Sequence, residues 1–147
     1  MIQFILDTDV LTLIQEGHPE IGRRFLEQSP DVVATTVLTV EEQLSGWYTQ
    51  LRKAKRPDRL AWAYRRLTEN IRFLSRLQVL TYDEAAMQRF DQLRKQKIKI
   101  GRTDLGIATI VLELGATLVT ENTKDFKQVP GLKMTRWSAQ ERDNPFE

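Results

Sequence analysis

The chain has 147 residues, which suits one domain spanning 1–147 and leaves little for a second. Hydrophobic residues make up 41%, enough for a core, and there is no cysteine, which excludes disulfides, thiolate nucleophiles and cysteine zinc sites. A single histidine, His18, excludes a histidine-rich metal centre, and the net charge of +2 conceals Lys/Arg clusters at 52–76 and 94–102. Such clusters suit either a polyanion or the solvated face of an ordinary helix.

Apolar runs such as 32–40 are too short and interrupted to span a bilayer. The opening Met-Ile-Gln-Phe-Ile-Leu-Asp lacks the basic start and cleavage pattern of a signal peptide, so a cytoplasmic protein with no membrane partner is expected. In chain order, 2–6 reads as a buried strand, and Asp9 opens a short helix that Gly17 ends. A second helix over 21–28 is expected to bury Phe25 and Leu26, followed by a strand over 31–38 rich in Val and Thr. Thr39 and Glu42 fit a capping box that starts the next helix. Pro57 marks a helix-to-helix turn. Beyond it Ala63, Tyr64, Leu67, Ile71, Leu74 and Leu77 recur at intervals of three and four, a long amphipathic helix with an Arg-rich outer face.

A third strand is expected over 79–82, with Asp83 capping the helix of Ala86, Phe90 and Leu93. Thr103 or Asp104 starts a helix that Gly115 terminates. The chain closes with a strand over 116–120, a turn or one-turn helix over 122–126, a Pro130-Gly131 turn and an edge strand over 133–136. Strands alternating with helices predict an α/β sandwich with a mainly parallel central sheet flanked by helices.

The positions of the acids carry the functional signal. Asp7 follows the first expected strand, Glu42 the second and Asp125 the fourth, while Asp104 opens a helix after a glycine turn. In an open parallel sheet such positions gather at one edge, where ligands bind. Converging carboxylates repel one another unless a cation sits among them, and an all-oxygen donor set selects Mg2+ or Mn2+. Each acid also has a structural reading: Glu42 as part of the capping box, Asp104 at a helix N-terminus, Asp125 with Asn122 in another cap, Asp7 and Asp9 in the turn into the first helix.

Phe-Ile-Leu-Asp7-Thr8-Asp9, Thr39-Val-Glu-Glu42-Gln-Leu-Ser-Gly46, Gly101-Arg-Thr-Asp104-Leu-Gly-Ile-Ala and Leu118-Val-Thr120-Glu-Asn122-Thr-Lys-Asp125-Phe126 stand in one order along the chain. Together they resemble the PIN-domain family, specifically its VapC-like toxin ribonucleases, from Ile2 to Trp137. The resemblance implies a PIN-like three-layer sandwich, an acidic pocket for Mg2+ or Mn2+, cleavage of RNA, and a bound antitoxin protein. A homodimer is among the assemblies it implies. By position, Asp7, Glu42, Asp104 and Asp125 match the family's catalytic and metal-site acids. Thr8 and Thr120 match positions that hydrogen-bond a carboxylate or water, and Asn122 matches the turn that presents Asp125. Three positions depart from the pattern: Asp9 replaces the usual Asn and reads as a cap or a ligand, Glu121 replaces a frequent basic residue, and Gln43 replaces the usual Leu.

Arg102, Lys97 and Lys99 are candidate contacts for an RNA backbone, with a plain surface role as the alternative. Trp47, Tyr48, Trp62 and Tyr64 suit core or partner contacts, or base stacking. His18, between Gly17 and Pro19, reads as a surface-turn histidine. Two other functions compete. Asp7-Thr-Asp9 also resembles the nucleophile motif of haloacid-dehalogenase-like phosphatases, although the chain is short for that fold and lacks its later motifs. A non-catalytic PIN-like module that binds RNA or protein is the other, and four intact acids argue against it.

Overall fold

The first strand is short because its apolar run ends at Asp7, which caps the helix that follows. The computed structural model describes residues 1–138, so residues 139–147 of the expected domain lie outside the described residues. The elements run β1 (Phe4–Leu6), α1 (Thr8–Gln15), α2 (Pro19–Glu27), β2 (Val33–Thr36), α3 (Val37–Lys53), α4 (Pro57–Leu74), β3 (Gln78–Leu80), α5 (Glu84–Arg94), α6 (Arg102–Leu114), β4 (Thr117–Val119), α7 (Thr123–Phe126) and β5 (Lys133–Thr135). Among the described residues the five strands pair in the order β3-β2-β1-β4-β5, every pair parallel. The sheet is therefore wholly parallel. β1 registers Ile5 against Ala34 on one side and Leu118 on the other.

Side chains alternate across this sheet and split the core in two. Ile5, Leu118 and Met134 pack with Phe90 and Leu93 of α5, Ile107 and Val111 of α6, and Phe126. Leu6 and Val119 face the other way, against Val10 and Leu11 of α1, Ile21 of α2 and Leu74 of α4. Trp137 closes that second core, its ring edge-on to Phe4 with centroids 5.5 Å apart. Helices on both faces give the three layers of a PIN-like α/β sandwich.

Several local expectations shift. α1 starts at Thr8 because Asp7, not Asp9, accepts the Val10 N–H at 2.8 Å. α3 starts at Val37, one half-turn before the expected capping box: Thr36 is the cap, accepting the Thr39 N–H at 3.2 Å. β-branched residues run unbroken across that junction, so composition did not mark it. Glu42 consequently stands in the second turn and its side chain is released from capping. α6 begins at Arg102 after the N-cap Gly101. Leu26 is 82% exposed, because α2 turns Ile21 inward and Leu26 lies off that face. Tyr64 and Ile71 of α4 are likewise exposed, while Asn70 is buried beside Ala63 and Leu74. His18 is the N-cap of α2, its Nδ1 accepting the Ile21 N–H at 3.2 Å.

The strand order reverses between β1 and β4: the chain leaves β1 towards β2 and β3, then returns to β4 on the far side. A crevice opens beyond the carboxyl ends of strands at such a switch point. α6 approaches this crevice past α3, and Gly106 permits the approach. A Cβ there would lie 2.6 Å from Leu38 Cδ1. Gly106→Val is therefore expected to displace the Leu38 side chain and crowd the Tyr82 ring, and to destabilise the fold by about 1–3 kcal/mol, read as a lower midpoint in urea unfolding.

Candidate active site

Asp7 follows β1 directly and is buried at the switch point, only 3% exposed. Burial raises its carboxyl from an ordinary 3.8 to about 7; the Thr120 hydroxyl and the Val10 N–H draw it down, and the charges of Asp9 and Asp104 push it up again. Asp104, in the first turn of α6, is half-buried, and its carboxyl is raised as well. Desolvation is the larger cause there, followed by the charges of Glu42, Asp9 and Asp125. These mutual repulsions link five carboxylates from four segments in one electrostatic field.

Hydroxyls orient the acids. Thr8 Oγ1 donates to Glu42 Oε1 at 2.6 Å and lies 3.0 Å from Thr39 Oγ1. Thr8 has one hydroxyl proton, and Glu42 receives it, so Thr39 is the donor of the other bond. Thr39 is fully buried, and the chain Thr39–Thr8–Glu42 thus ties an exposed carboxylate to the interior. On the β4 side, the Asn122 N–H donates to Thr120 Oγ1 at 2.9 Å, and Asn122 Nδ2 donates to Asp125 Oδ2 at 3.0 Å. Thr120 in turn bonds Asp7, so the two halves of the crevice meet at Asp7.

The remaining candidates are placed as follows. Asp9 sits exposed in the first turn of α1 and adds charge to Asp7 and Asp104. Lys97 and Lys99 are exposed in the loop before α6, where the Lys99 N–H donates to Gln128 Oε1 at 2.9 Å. Arg102 is exposed, its guanidinium 6.0 Å from the centre of the Phe90 ring. Among the described residues none of these three cations pairs with a carboxylate. Glu121 is held by Arg136 at 3.2 Å. Trp47 and Trp62 pack edge-on between α3 and α4, with centroids 5.7 Å apart.

Sequence reasoning missed a polar network beside the acids. Gln43 Nε2 donates to Gln15 Oε1 at 2.9 Å and to Thr12 Oγ1 at 3.2 Å. Gln43 Oε1 accepts from Asn70 Nδ2 at 2.8 Å and from Gln15 Nε2 at 3.3 Å. The one sequence signal was Gln43 itself, standing where an apolar residue is usual. Its partners come from separate helices and carried none.

The donor set around the crevice is carboxylate and hydroxyl oxygen, with His18 away on α2, and that chemistry fits a hard divalent cation. Among the described residues no three acids or histidines stand close enough to enclose an ion by themselves. Such spacing is compatible with a cation that keeps part of its water shell.

No family model matches the chain. It is 29% identical over 142 residues to the tRNA(fMet)-specific endonuclease VapC of Shigella flexneri, covering 94% of this chain and all of that protein. Ribonuclease VapC2 of Rickettsia felis is 28% identical over 140 residues, covering 91% of this chain and 97% of the relative. Among solved structures, the DNA-bound VapBC complex of Salmonella typhimurium superposes with a TM-score of 0.74 at 27% identity, over 93% of this chain and 99% of that one. The VapBC2 complex of Rickettsia felis, bound to a promoter DNA fragment, gives 0.70 at 26%, over 93% and 99%.

Burial of Asp7 has a consequence for stability. Between pH 3.8 and about 7 the folded chain keeps a proton on Asp7 that the unfolded chain releases. Stability therefore falls as pH rises through that window and levels off above it. Thermal melts without divalent cation are expected to show a lower midpoint at pH 8 than at pH 5, corresponding to a stability loss of order 1–3 kcal/mol. Asp7→Asn keeps a capping side chain and should remove most of that slope. An unchanged slope in the variant would assign the effect elsewhere.

Proposed function

We infer, from the chain's place among the VapC-like PIN-domain proteins, that it is a metal-dependent endoribonuclease acting as the toxin of a toxin–antitoxin pair in the cytoplasm. The observation that carries this reading is the set of carboxylates, Asp7, Glu42, Asp104 and Asp125, drawn from four segments to one switch-point crevice and coupled by charge. Relatives named as ribonucleases match over nearly the full chain, and the solved VapBC neighbours support a protein antitoxin as the partner.

Asp7, Glu42, Asp104 and Asp125 would hold Mg2+ or Mn2+ through their oxygens. When bound, such an ion supplies positive charge that polarises a phosphodiester and acidifies the attacking water. Asp7 and Asp104 contribute carboxylates whose raised pKa makes a cation, rather than a second acid, their favoured neighbour. Thr8, with its proton given to Glu42, fixes the direction of that carboxylate. Asn122 does the same for Asp125. Lys97, Lys99 and Arg102 lie on the loop and first turn that lead into Asp104, where an RNA backbone approaching the acids would meet positive charge. Asp7 serves poorly as a phosphorylated nucleophile, being almost wholly buried with one oxygen spent on the Val10 N–H.

The test is cleavage of a mixed RNA pool by protein freed of any partner. Cutting is expected only with Mg2+ or Mn2+, and Asp7→Asn and Asp104→Asn, shown to be folded, should abolish it. Thr8→Val is expected to keep the fold and lower kcat/KM roughly tenfold, the scale of one hydrogen bond to a charged group. Folded, partner-free wild type that cuts no RNA with either metal would overturn the reading in favour of a binding module.

A further inference from the structure

Two cavities open beside the acids, between α1, α3 and α4. The larger, about 360 Å3, is lined by Thr8 and Glu42 at one end and by Gln15, Gln43, Trp47 and Arg66 beyond them. The second, about 180 Å3, shares Gln15, Trp47 and Arg66 and reaches Asn70. Together they form a groove within the size range of small-ligand sites, roughly 300–1,000 Å3. It begins at a carboxylate of the proposed catalytic set.

Asn70 is 7% exposed and gives one N–H to Gln43, yet among the described residues its Oδ1 is a buried oxygen with no partner. Natural interiors hold few such atoms, because each forfeits the hydrogen bond that water had supplied. Gln43 is saturated, with two bonds given and two accepted. Asn70 therefore keeps an acceptor and one N–H in reserve, and Gln15 keeps one N–H. A side-chain amide with a donor and an acceptor to spare matches a nucleobase edge that presents both, such as N6 and N7 of adenine.

The walls suit the rest of a nucleotide. Arg66 lies over the Trp47 ring, 5.6 Å from its centre, and both residues line both cavities. An indole and a guanidinium plane are the surfaces on which unpaired bases stack, and the same guanidinium can meet a phosphate. Glu69 holds Arg66 only loosely, at 3.9 Å on the surface. Gln50, on the rim of the larger cavity, also borders a third beside Lys53, Lys55 and Arg59. None of those three cations pairs with a carboxylate among the described residues, so the groove opens onto positive charge. That corner suits a polyanion, and the stacking surfaces with the spare amide atoms favour a nucleic acid among polyanions.

We propose that this groove is a nucleotide subsite for the RNA substrate, adjacent to the scissile phosphodiester. In it Asn70 and Gln15 read the edge of one base, Trp47 and Arg66 stack on it, and Arg66 engages its phosphate. The proposal rests on the ribonuclease reading. It requires the side chains around Asn70 to turn aside as the base enters, since the free oxygen is shielded in the empty groove.

The experiment compares wild type, Asn70→Leu and Arg66→Ala on a sequence-randomised RNA pool, with cut ends read by sequencing. A parallel arm uses the non-cutting Asp104→Asn chain, with and without Asn70→Leu, titrated with short oligoadenylate and oligouridylate and followed by tryptophan fluorescence. Asn70→Leu removes an unsatisfied buried oxygen together with the bond given to Gln43, whose Oε1 still accepts from Gln15, so the chain is expected to stay folded, as its melting temperature checks. Its base preference at one position near the cut should flatten by roughly five- to a hundredfold. Arg66→Ala should weaken all sequences alike and lower the salt dependence of binding by about one phosphate contact. Should Asn70→Leu fail to fold, Gln15→Leu carries the same base-preference comparison.

Cutting by wild type with a base profile unchanged in Asn70→Leu, or in Gln15→Leu where that variant replaces it, overturns the subsite and leaves the ribonuclease reading standing. Binding without cutting overturns the ribonuclease reading; a base preference that disappears with Asn70→Leu then still supports the subsite. Neither cutting nor binding overturns both. Groove variants that lose affinity for a protein partner while keeping the RNA profile overturn the proposal and give the groove to that partner.

Discussion

Asp7 ends the central strand of a parallel sheet, at a point where water is excluded and a carboxylate is costly to ionise. Everything near it answers that cost in part. One oxygen accepts the Val10 N–H in the first turn of α1, the Thr120 hydroxyl supplies another bond, and among the described residues no three acids close on a common point. A buried acid in the field of two others, Asp9 and Asp104, is a poor arrangement for stability alone. The divalent cation proposed above would offset that repulsion, its charge being opposite to theirs. The raised pKa values of Asp7 and Asp104 express that tension before any ion is present.

The scaffold makes this possible by topology. Short parallel strands end at the same level, so the residues that follow them share one edge, and the reversal of strand order leaves a gap between β1 and β4 there. Helix α6 completes the site from the third dimension. It passes α3 where a Cβ on Gly106 would meet the Leu38 side chain, and it brings Asp104 into the field of Glu42.

The hydroxyl and amide networks divide the crevice's surroundings by task. Threonines 8, 39 and 120 are short, stiff and buried or nearly so, and they orient carboxylates. Glutamines 15 and 43 and Asn70 are longer and lie farther along the groove, where they join α1, α3 and α4 through polar contacts. An apolar residue at Gln43 would hold those helices by packing alone. The amide instead holds them by directional bonds and leaves one buried oxygen unsatisfied.

Periodicity and punctuation in the sequence determined the alternation of strands and helices, the helix stops at Gly115 and before Pro57, the cap at Asp83 and the placement of acids after strands. These are local properties: a cap, a glycine φ of 67° or an apolar repeat acts within one or two turns of chain. Local rules erred where two of them competed. The Val- and Thr-rich run across 33–40 fits strand and helix alike, and its division at Thr36 was set by pairing with β1 and β3. The inward face of α4 was decided likewise, since Asn70 is buried only because Gln43 of another helix awaits it. Strand order, the depth at which Asp7 is buried, the Thr39–Thr8–Glu42 relay and the groove beside it belong to the tertiary structure. Each depends on residues about thirty or more positions apart, whose contacts arise when the sheet assembles and not from any property of the segments themselves.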